Sequence, residues 1–186
     1  MDSCAKWVIV GNLGNFCQIL IRLINETKIS GLYTVVARGC NHINLDAKGR
    51  MSIPTKLRDG LKGESDGKLV VTISPSDRCL LLYKLEDWED VEKKMTALPA
   101  LDVQVRQLKR MLIGHADDCA MDASGRILLA QNLRDFAGIK RKAVLVGQGD
   151  KYEVWDEAQW FAHRDAITES EIDESTLPAV LGSLAF

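Results

Sequence analysis

Short aliphatic and β-branched runs bounded by turn residues alternate along this chain with stretches in which Leu, Val, Met and Trp recur every three or four residues. The first pattern predicts strands and the second amphipathic helices. Residues 37–45 read as a strand. Asp46-Ala-Lys-Gly49 reads as the turn that follows, since Asp supports its own turn and Gly49 takes positive φ at no steric cost. Residues 50–53 return as a second strand, and Pro54 pre-sets helical φ for a short helix ending near Gly60. After a polar loop at 62–66, residues 69–73 are apolar enough for a buried strand, and 74–77 turn the chain into another at 79–83. The unit is ββαββ, a pattern suited to an α+β fold.

The same order returns once. Residues 122–135 repeat 46–59 with seven of fourteen positions identical, namely Asp, Ala, Gly, Arg, then Leu, Arg, Asp. Unrelated stretches would share roughly one. Leu69-Val70-Val71 matches Val144-Leu145-Val146 and Trp88 matches Trp160, so the offset shrinks from 76 to 75 to 72 as loop lengths change. The second copy predicts strands at 119–121, 126–129, 143–146 and 152–155 and a helix around 132–137, with Ala130 in place of Pro54. Neither copy is long enough to bury a core alone, so the two must pack together as a pseudo-twofold domain.

Two helical stripes lie between the copies: Leu85, Trp88, Val91, Met95 and Leu98, then Leu101, Val105, Leu108 and Leu112, with Pro99 as the break. They read as core or as an oligomer seam, and the second stripe, with Trp88 and Trp160, offers more apolar surface than one small domain needs. A homo-oligomer follows as an expectation. Arg106, Lys109 and Arg110 lie opposite the second stripe and read as a solvated face. After Trp160 a last helix passes into the acidic tail 169–174, expected to be mobile.

Composition narrows the chemistry. The net charge is −2, yet residues 156–186 carry seven acidic side chains against Arg164, which leaves residues 1–155 at about +4. The five cysteines are odd in number and contain no Cys-x-x-Cys, which argues against a disulfide framework and a paired-cysteine zinc site and for reduced thiols in a cytosol. The apolar stretch at 7–24 is interrupted by Asn12, Asn15, Gln18 and Arg22, so it falls short of the ~20 apolar residues of a membrane span. His115-Ala-Asp-Asp-Cys119 has the composition of half a metal site or a thiol–imidazole pair, but only His42 and His163 remain as further histidines, and no second ligand cluster appears. A structural His115 is the better reading. There is no Gly-rich phosphate loop or nucleophile elbow, so no enzyme, catalytic residue, metal or cofactor is expected.

The Asp-x-x-x-Arg spacing, Asp46/Arg50 and Asp122/Arg126, admits two readings. One is an ion pair that pins each turn. The other is a pair of arginines shown in related frames to nucleic acid, because Arg suits bidentate contact with guanine edges or phosphates. Lys48 and Arg38 add charge beside the first turn.

Several motifs in order carry a resemblance. Asn44-Leu-Asp-Ala-Lys-Gly-Arg50, Cys79-Leu-Leu-Leu-Tyr83 with Trp88, Leu112-Ile-Gly-His-Ala116, Met121-Asp-Ala-Ser-Gly-Arg-Ile-Leu128, Val144-Leu-Val-Gly-Gln148 and Trp155-Asp closely resemble the bacterial MraZ family of transcriptional regulators, over residues 36–186. The resemblance implies two SpoVT/AbrB-like swapped-hairpin units closing one β-barrel as an intramolecular pseudodimer, with linking and C-terminal helices. It implies cytoplasmic, nucleoid-associated rings that bind direct repeats in double-stranded DNA upstream of their own division and cell-wall gene cluster, as repressor. On that basis Arg50, Lys48, Arg38 and Arg126 are the DNA-binding candidates, and Asp46, Gly49, Asp122 and Gly125 the turn-forming residues. Arg50 is expected to matter more than Arg126, whose turn has Ser124 where the first has Lys48.

The expected organisation is an N-terminal extension at 1–35, a first repeat at 36–86, a helical linker at 87–114, a second repeat at 115–158, and a C-terminal helix with tail at 159–186. Residues 1–35 are expected to be a non-native start or disordered, with Val36 the true initiation point, because the resemblance begins at Val36-Ala-Arg-Gly39 and a GTG codon can initiate. The alternative from another class is a ring-forming protein-interaction regulator with DNA binding secondary. A steep salt dependence separates the DNA reading from it.

Overall fold

The computed structural model of the protein describes residues 37–62 and 66–169. The expectations for residues 1–35, for Val36 as a start and for the tail beyond Glu169 lie outside the described residues.

The chain forms an α+β fold in which each copy contributes four strands. In the first copy these are β1 (Cys40–Asn44), β2 (Arg50–Ser52), β3 (Lys68–Ile73) and β4 (Leu80–Lys84), with helix α1 (Thr55–Lys62) between β2 and β3. Helices α2 (Leu85–Ala97) and α3 (Val103–Leu112) follow. The second copy supplies β5 (Asp117–Ala120), β6 (Arg126–Leu128), α4 (Gln131–Ala137), β7 (Lys142–Gly147) and β8 (Tyr152–Asp156), and α5 (Glu157–Glu169) closes the described chain. Helix α1 runs through Gly60 to Lys62 rather than stopping near Gly60, because the buried Leu61 fastens its last turn to the core.

The strands exchange between copies. A six-stranded antiparallel sheet runs β1-β7-β8-β4-β3-β5, so β1 pairs with the second copy and β5 with the first, while β2 and β6 pair with each other as a separate two-stranded ribbon. Among the described residues no ladder closes this open order into a barrel. Exchanging β1, β2, β3 and β4 for β5, β6, β7 and β8 maps the order onto itself, and the axis of that pseudo-twofold passes two self-related pairs, Met51↔Ile127 and Leu81↔Glu153.

The pairings correct one sequence correspondence. Leu69 faces Lys84 as Ala143 faces Asp156, and Lys84 and Asp156 are themselves equivalent, so the β3-to-β7 offset is 74 and not 75. Leu69 is thus the partner of Ala143, and Val70 of Val144. One residue of slip turns every side chain to the other face. The offset of 74 puts Val70 and Val144 in one core cluster, and Leu69, Val71, Ala143 and Leu145 in the other.

Those two clusters lie on the two faces of the sheet. On one, Met51 and Ile127 of the ribbon meet Leu61 of α1, Leu133 of α4 and the inward residues Leu80, Leu82 and Val154. On the other, Val70, Leu81 and Tyr83 meet Trp88, Met95, Leu108 and Leu112. The helical stripes are therefore largely consumed within the chain. What stays outside is the start of α3, where Leu101 is 92% and Val103 57% exposed. Asp102 caps α3 by accepting from the N–H groups of Gln104 at 2.7 Å and Val105 at 3.3 Å, a contact of about 1 kcal/mol. Arg106 and Lys109 do more than face solvent: Arg106 donates to the carbonyl of Leu101 at 2.7 Å, and Lys109 to that of Leu98 at 3.0 Å, which binds the α2–α3 connection.

Candidate nucleic-acid interface

Each hairpin turn is held by its aspartate. The Asp46 carboxylate accepts from the backbone N–H groups of Lys48 and Arg50, both at 2.9 Å, and from Nε of Arg50 at 2.6 Å. Asp122 does the same for Ser124 at 2.8 Å, for the Arg126 N–H at 2.9 Å and for its Nε at 2.9 Å. Gly49 and Gly125 adopt φ of +81° and +75°, which a side chain would strain. The backbone N–H of Arg50, followed by its guanidinium and the N–H of Lys48, holds the Asp46 carboxyl down at about 2, and Asp122 is lowered by the same contacts from Arg126. The ion-pair reading of Asp-x-x-x-Arg is therefore realised in both copies. It does not consume the arginines, because a guanidinium carries five N–H donors, of which Arg50 spends Nε on Asp46 and Arg126 spends Nε and one Nη on Asp122.

The ribbon decides where those arginines point. Met51 and Ile127 face inward and are fully buried, so Arg50, Ser52, Arg126 and Leu128 share the outer face. Arg50 lies opposite Leu128, and Arg126 opposite Ser52. The two arginines are thus diagonal neighbours across an antiparallel pair, with Cα atoms roughly 7–8 Å apart. Lys48 is exposed on the turn at the Arg50 end. Arg38 is not beside that turn. It precedes β1, next to the Ala37–Gly149 bridge, and the length of the strand separates it from Asp46 by roughly 20–25 Å.

Two further arginines complete the site, one from each copy's helix. Arg134 of α4 donates through Nε to the carbonyl of Leu129 at 3.1 Å and covers the first turn so closely that a Cβ on Gly49 would lie 2.7 Å from its guanidinium carbon. Arg58 of α1 donates to the carbonyl of Ile53 at 2.9 Å and covers Gly125 in the same way. Each copy therefore roofs the other copy's turn. The backbones interlock as well, with Ile53 N–H bonded to the Gly125 carbonyl at 2.9 Å and Leu129 N–H to that of Gly49 at 3.1 Å. The signal for this pair was present in the repeat, where Leu-Arg-Asp is conserved between copies. Its purpose could not be read there, because the contact crosses between copies.

The histidines and the Cys79 and Cys119 thiols fill structural places. His115 Nδ1 lies 3.1 Å from the carbonyls of Arg110 and Met111 at the end of α3, His42 meets Glu157 at 3.1 Å, and His163 stacks on Trp155. Burial pushes the Cys119 thiol up to about 12 and raises Cys79 further, so neither is a nucleophile at neutral pH. Among the described residues no group of His, Cys, Asp and Glu is arranged to hold a metal ion, and no helix is long and apolar enough to cross a membrane.

A family model described as "MraZ protein, putative antitoxin-like" matches residues 36–111 and 112–178. The chain belongs to the MraZ family. It is 46% identical to a protein of Halorhodospira halophila named "Transcriptional regulator MraZ", over 80% of this chain and 98% of that one. A protein of the same name from Alkalilimnicola ehrlichii is 49% identical over 79% of this chain and 97% of its own length. One from Pectobacterium carotovorum is 42% identical over 80% and 98%. The MraZ family is one of transcriptional regulators and not of enzymes.

Proposed function

We propose that this chain is a sequence-specific DNA-binding transcriptional regulator that uses the outer face of the β2–β6 ribbon to read direct repeats upstream of its own division and cell-wall gene cluster, as repressor. The observation that carries the reading is the placement of Arg50 and Arg126 on one face of a two-stranded antiparallel ribbon, since the major groove of B-DNA admits such a ribbon. Arg50 reads base edges, Lys48 holds a phosphate beside it, Arg38 holds one further along the duplex from the other end of β1, and Arg126 contributes less because Ser124 replaces the lysine beside it. The named regulators among its relatives support the same role.

In this reading the two ββαββ copies, within 36–86 and 115–158, are AbrB-like swapped-hairpin units that form one intramolecular pseudodimer, joined by the helices of 87–114 and followed by α5. One protomer offers few cations, so its binding is weak and salt-sensitive. A ring of protomers engaging spaced repeats raises the effective affinity without new contact types. The exposed Leu101 and Val103 supply an apolar contact for such assembly, and the regulator acts in the cytoplasm at the nucleoid.

A gel shift on DNA from upstream of its own gene tests the proposal. Arg50→Ala is expected to abolish specific retardation with the fold and assembly intact; equal binding by this variant and the wild type overturns the role of Arg50. The exposed Leu101 also favours a second reading, a ring that chiefly binds a protein partner. A shallow salt dependence of DNA binding would select it.

A further inference from the structure

The pseudo-twofold makes the two hairpins comparable residue by residue, and their surroundings differ in charge. Beside the first turn the N–H of Leu45 donates to the carbonyl of Arg141 at 2.8 Å; beside the second, the N–H of Met121 donates to that of Gly67 at 3.1 Å. The β1–β7 and β3–β5 registers agree, so Arg141 stands where Gly67 stands and Lys140 where Asp66 stands. Lys48 in turn replaces Ser124. Over these three positions the first hairpin is four charge units more positive than the second.

Lys140 and Arg141 are exposed on an anchored backbone. Ile139 and Ala143 on either side are buried, and the Ile139 N–H bonds to the Arg134 carbonyl at 2.9 Å. Gly138 ends α4 at φ +66°, and Gln159 of α5 donates to the carbonyl of Ala137 at 3.1 Å. Lys142 differs from its two neighbours, since Glu157 meets it at 3.3 Å.

From this juxtaposition we infer that Lys140 and Arg141 of the second copy form a phosphate-binding shelf for the DNA strand that passes the first copy's Arg50 turn. The inference rests on the DNA-binding role proposed above and gives it a polarity: the reading site is built from both copies, and the duplex backbone lies on the Lys48 side of the ribbon. Phosphate is the ligand because two adjacent cations on a fixed backbone supply charge and N–H donors, which position a duplex without reading its bases.

Fluorescence anisotropy of the full chain tests this, with one duplex from upstream of its own gene, a scrambled duplex of equal length, and a series of salt concentrations. Lys140→Gln combined with Arg141→Gln is expected to reduce the slope of log affinity against log salt by about 1.8 on both duplexes, at about 0.9 per phosphate contact, and to leave the ratio between duplexes unchanged. Lys62→Gln combined with Lys68→Gln removes equal charge beside the second hairpin and is expected to leave the slope as it was. An unchanged slope in the Lys140/Arg141 variant, beside a wild type that discriminates the duplexes and an Arg50→Ala chain that does not, overturns the shelf alone. Equal slope losses in the two double variants also overturn it, since charge anywhere would then suffice. A wild type that discriminates neither duplex overturns the DNA-reading role and the shelf together.

Discussion

Replacing Arg134 with methionine keeps the aliphatic stem over the Gly49 turn and removes the guanidinium. The loss is the charged hydrogen bond from Nε to the Leu129 carbonyl at 3.1 Å, in a half-buried setting, together with the Nη2 contact to Oε1 of the exposed Gln131, which water replaces at little cost. Charged hydrogen bonds contribute about 1.5–3 kcal/mol when well shielded, and partial exposure lowers that to about 1–2 kcal/mol. For a chain of this size such a loss moves Tm down by roughly 3–6 °C. Arg58→Met removes the mirror contact, to the Ile53 carbonyl at 2.9 Å, and should cost a similar amount. Differential scanning calorimetry checks that near-equality. DNA binding should separate the pair. Arg134 sits in the second copy but roofs the turn that carries Lys48 and Arg50, so Arg134→Met is expected to weaken specific binding several-fold more than Arg58→Met. Proximity in sequence predicts the reverse, because Arg58 follows Arg50 in the same copy. A larger binding loss from Arg58→Met, with comparable melting of both variants, would refute the cross-copy roof as the device that positions the reading turn.

Both hairpin aspartates have lowered pKa values, so their contribution to stability is present above the unfolded value near 3.8 and is lost as pH falls through about 2, where Asp46 titrates. A chain carrying Asp46→Asn and Asp122→Asn should show a flatter loss of stability between about pH 4 and pH 2 than the wild type, followed by circular dichroism in urea. Ile127→Ala empties a fully buried site on the pseudo-twofold axis and is expected to cost about 3–4 kcal/mol, or roughly 10 °C in Tm; a loss below 1 kcal/mol would mean the ribbon does not close the core. Light scattering at micromolar concentration should give a multiple of the chain mass, reduced by Leu101→Glu, whereas the mass of one chain in the wild type argues against the ring.

The alternation of strands, turns and helices was legible because each rests on local chemistry: Asp46 and Asp122 beside glycines that take positive φ, apolar residues at three- and four-residue spacing in α2 and α3, and a repeat that announced two copies. The ion pair within Asp-x-x-x-Arg was one of the two readings the spacing admitted, since the partners are four residues apart. What the sequence left open depends on partners far apart along the chain. The β3-to-β7 offset was misjudged by one because both strands are buried on both faces, so their apolar runs lack the alternation that would fix register. The α3 stripe reads identically whether it seals a core or another protomer, and only packing shows that Leu108 and Leu112 are used at home while Leu101 is not. Arg38 looked close to the first turn through its place in the sequence, but an extended strand carries it away from Asp46. The reverse holds for Arg134, Lys140 and Arg141, which lie far along the chain yet stand at the Asp46–Arg50 turn, because the pairing of β1 with β7 and of β2 with β6 folds one copy against the other.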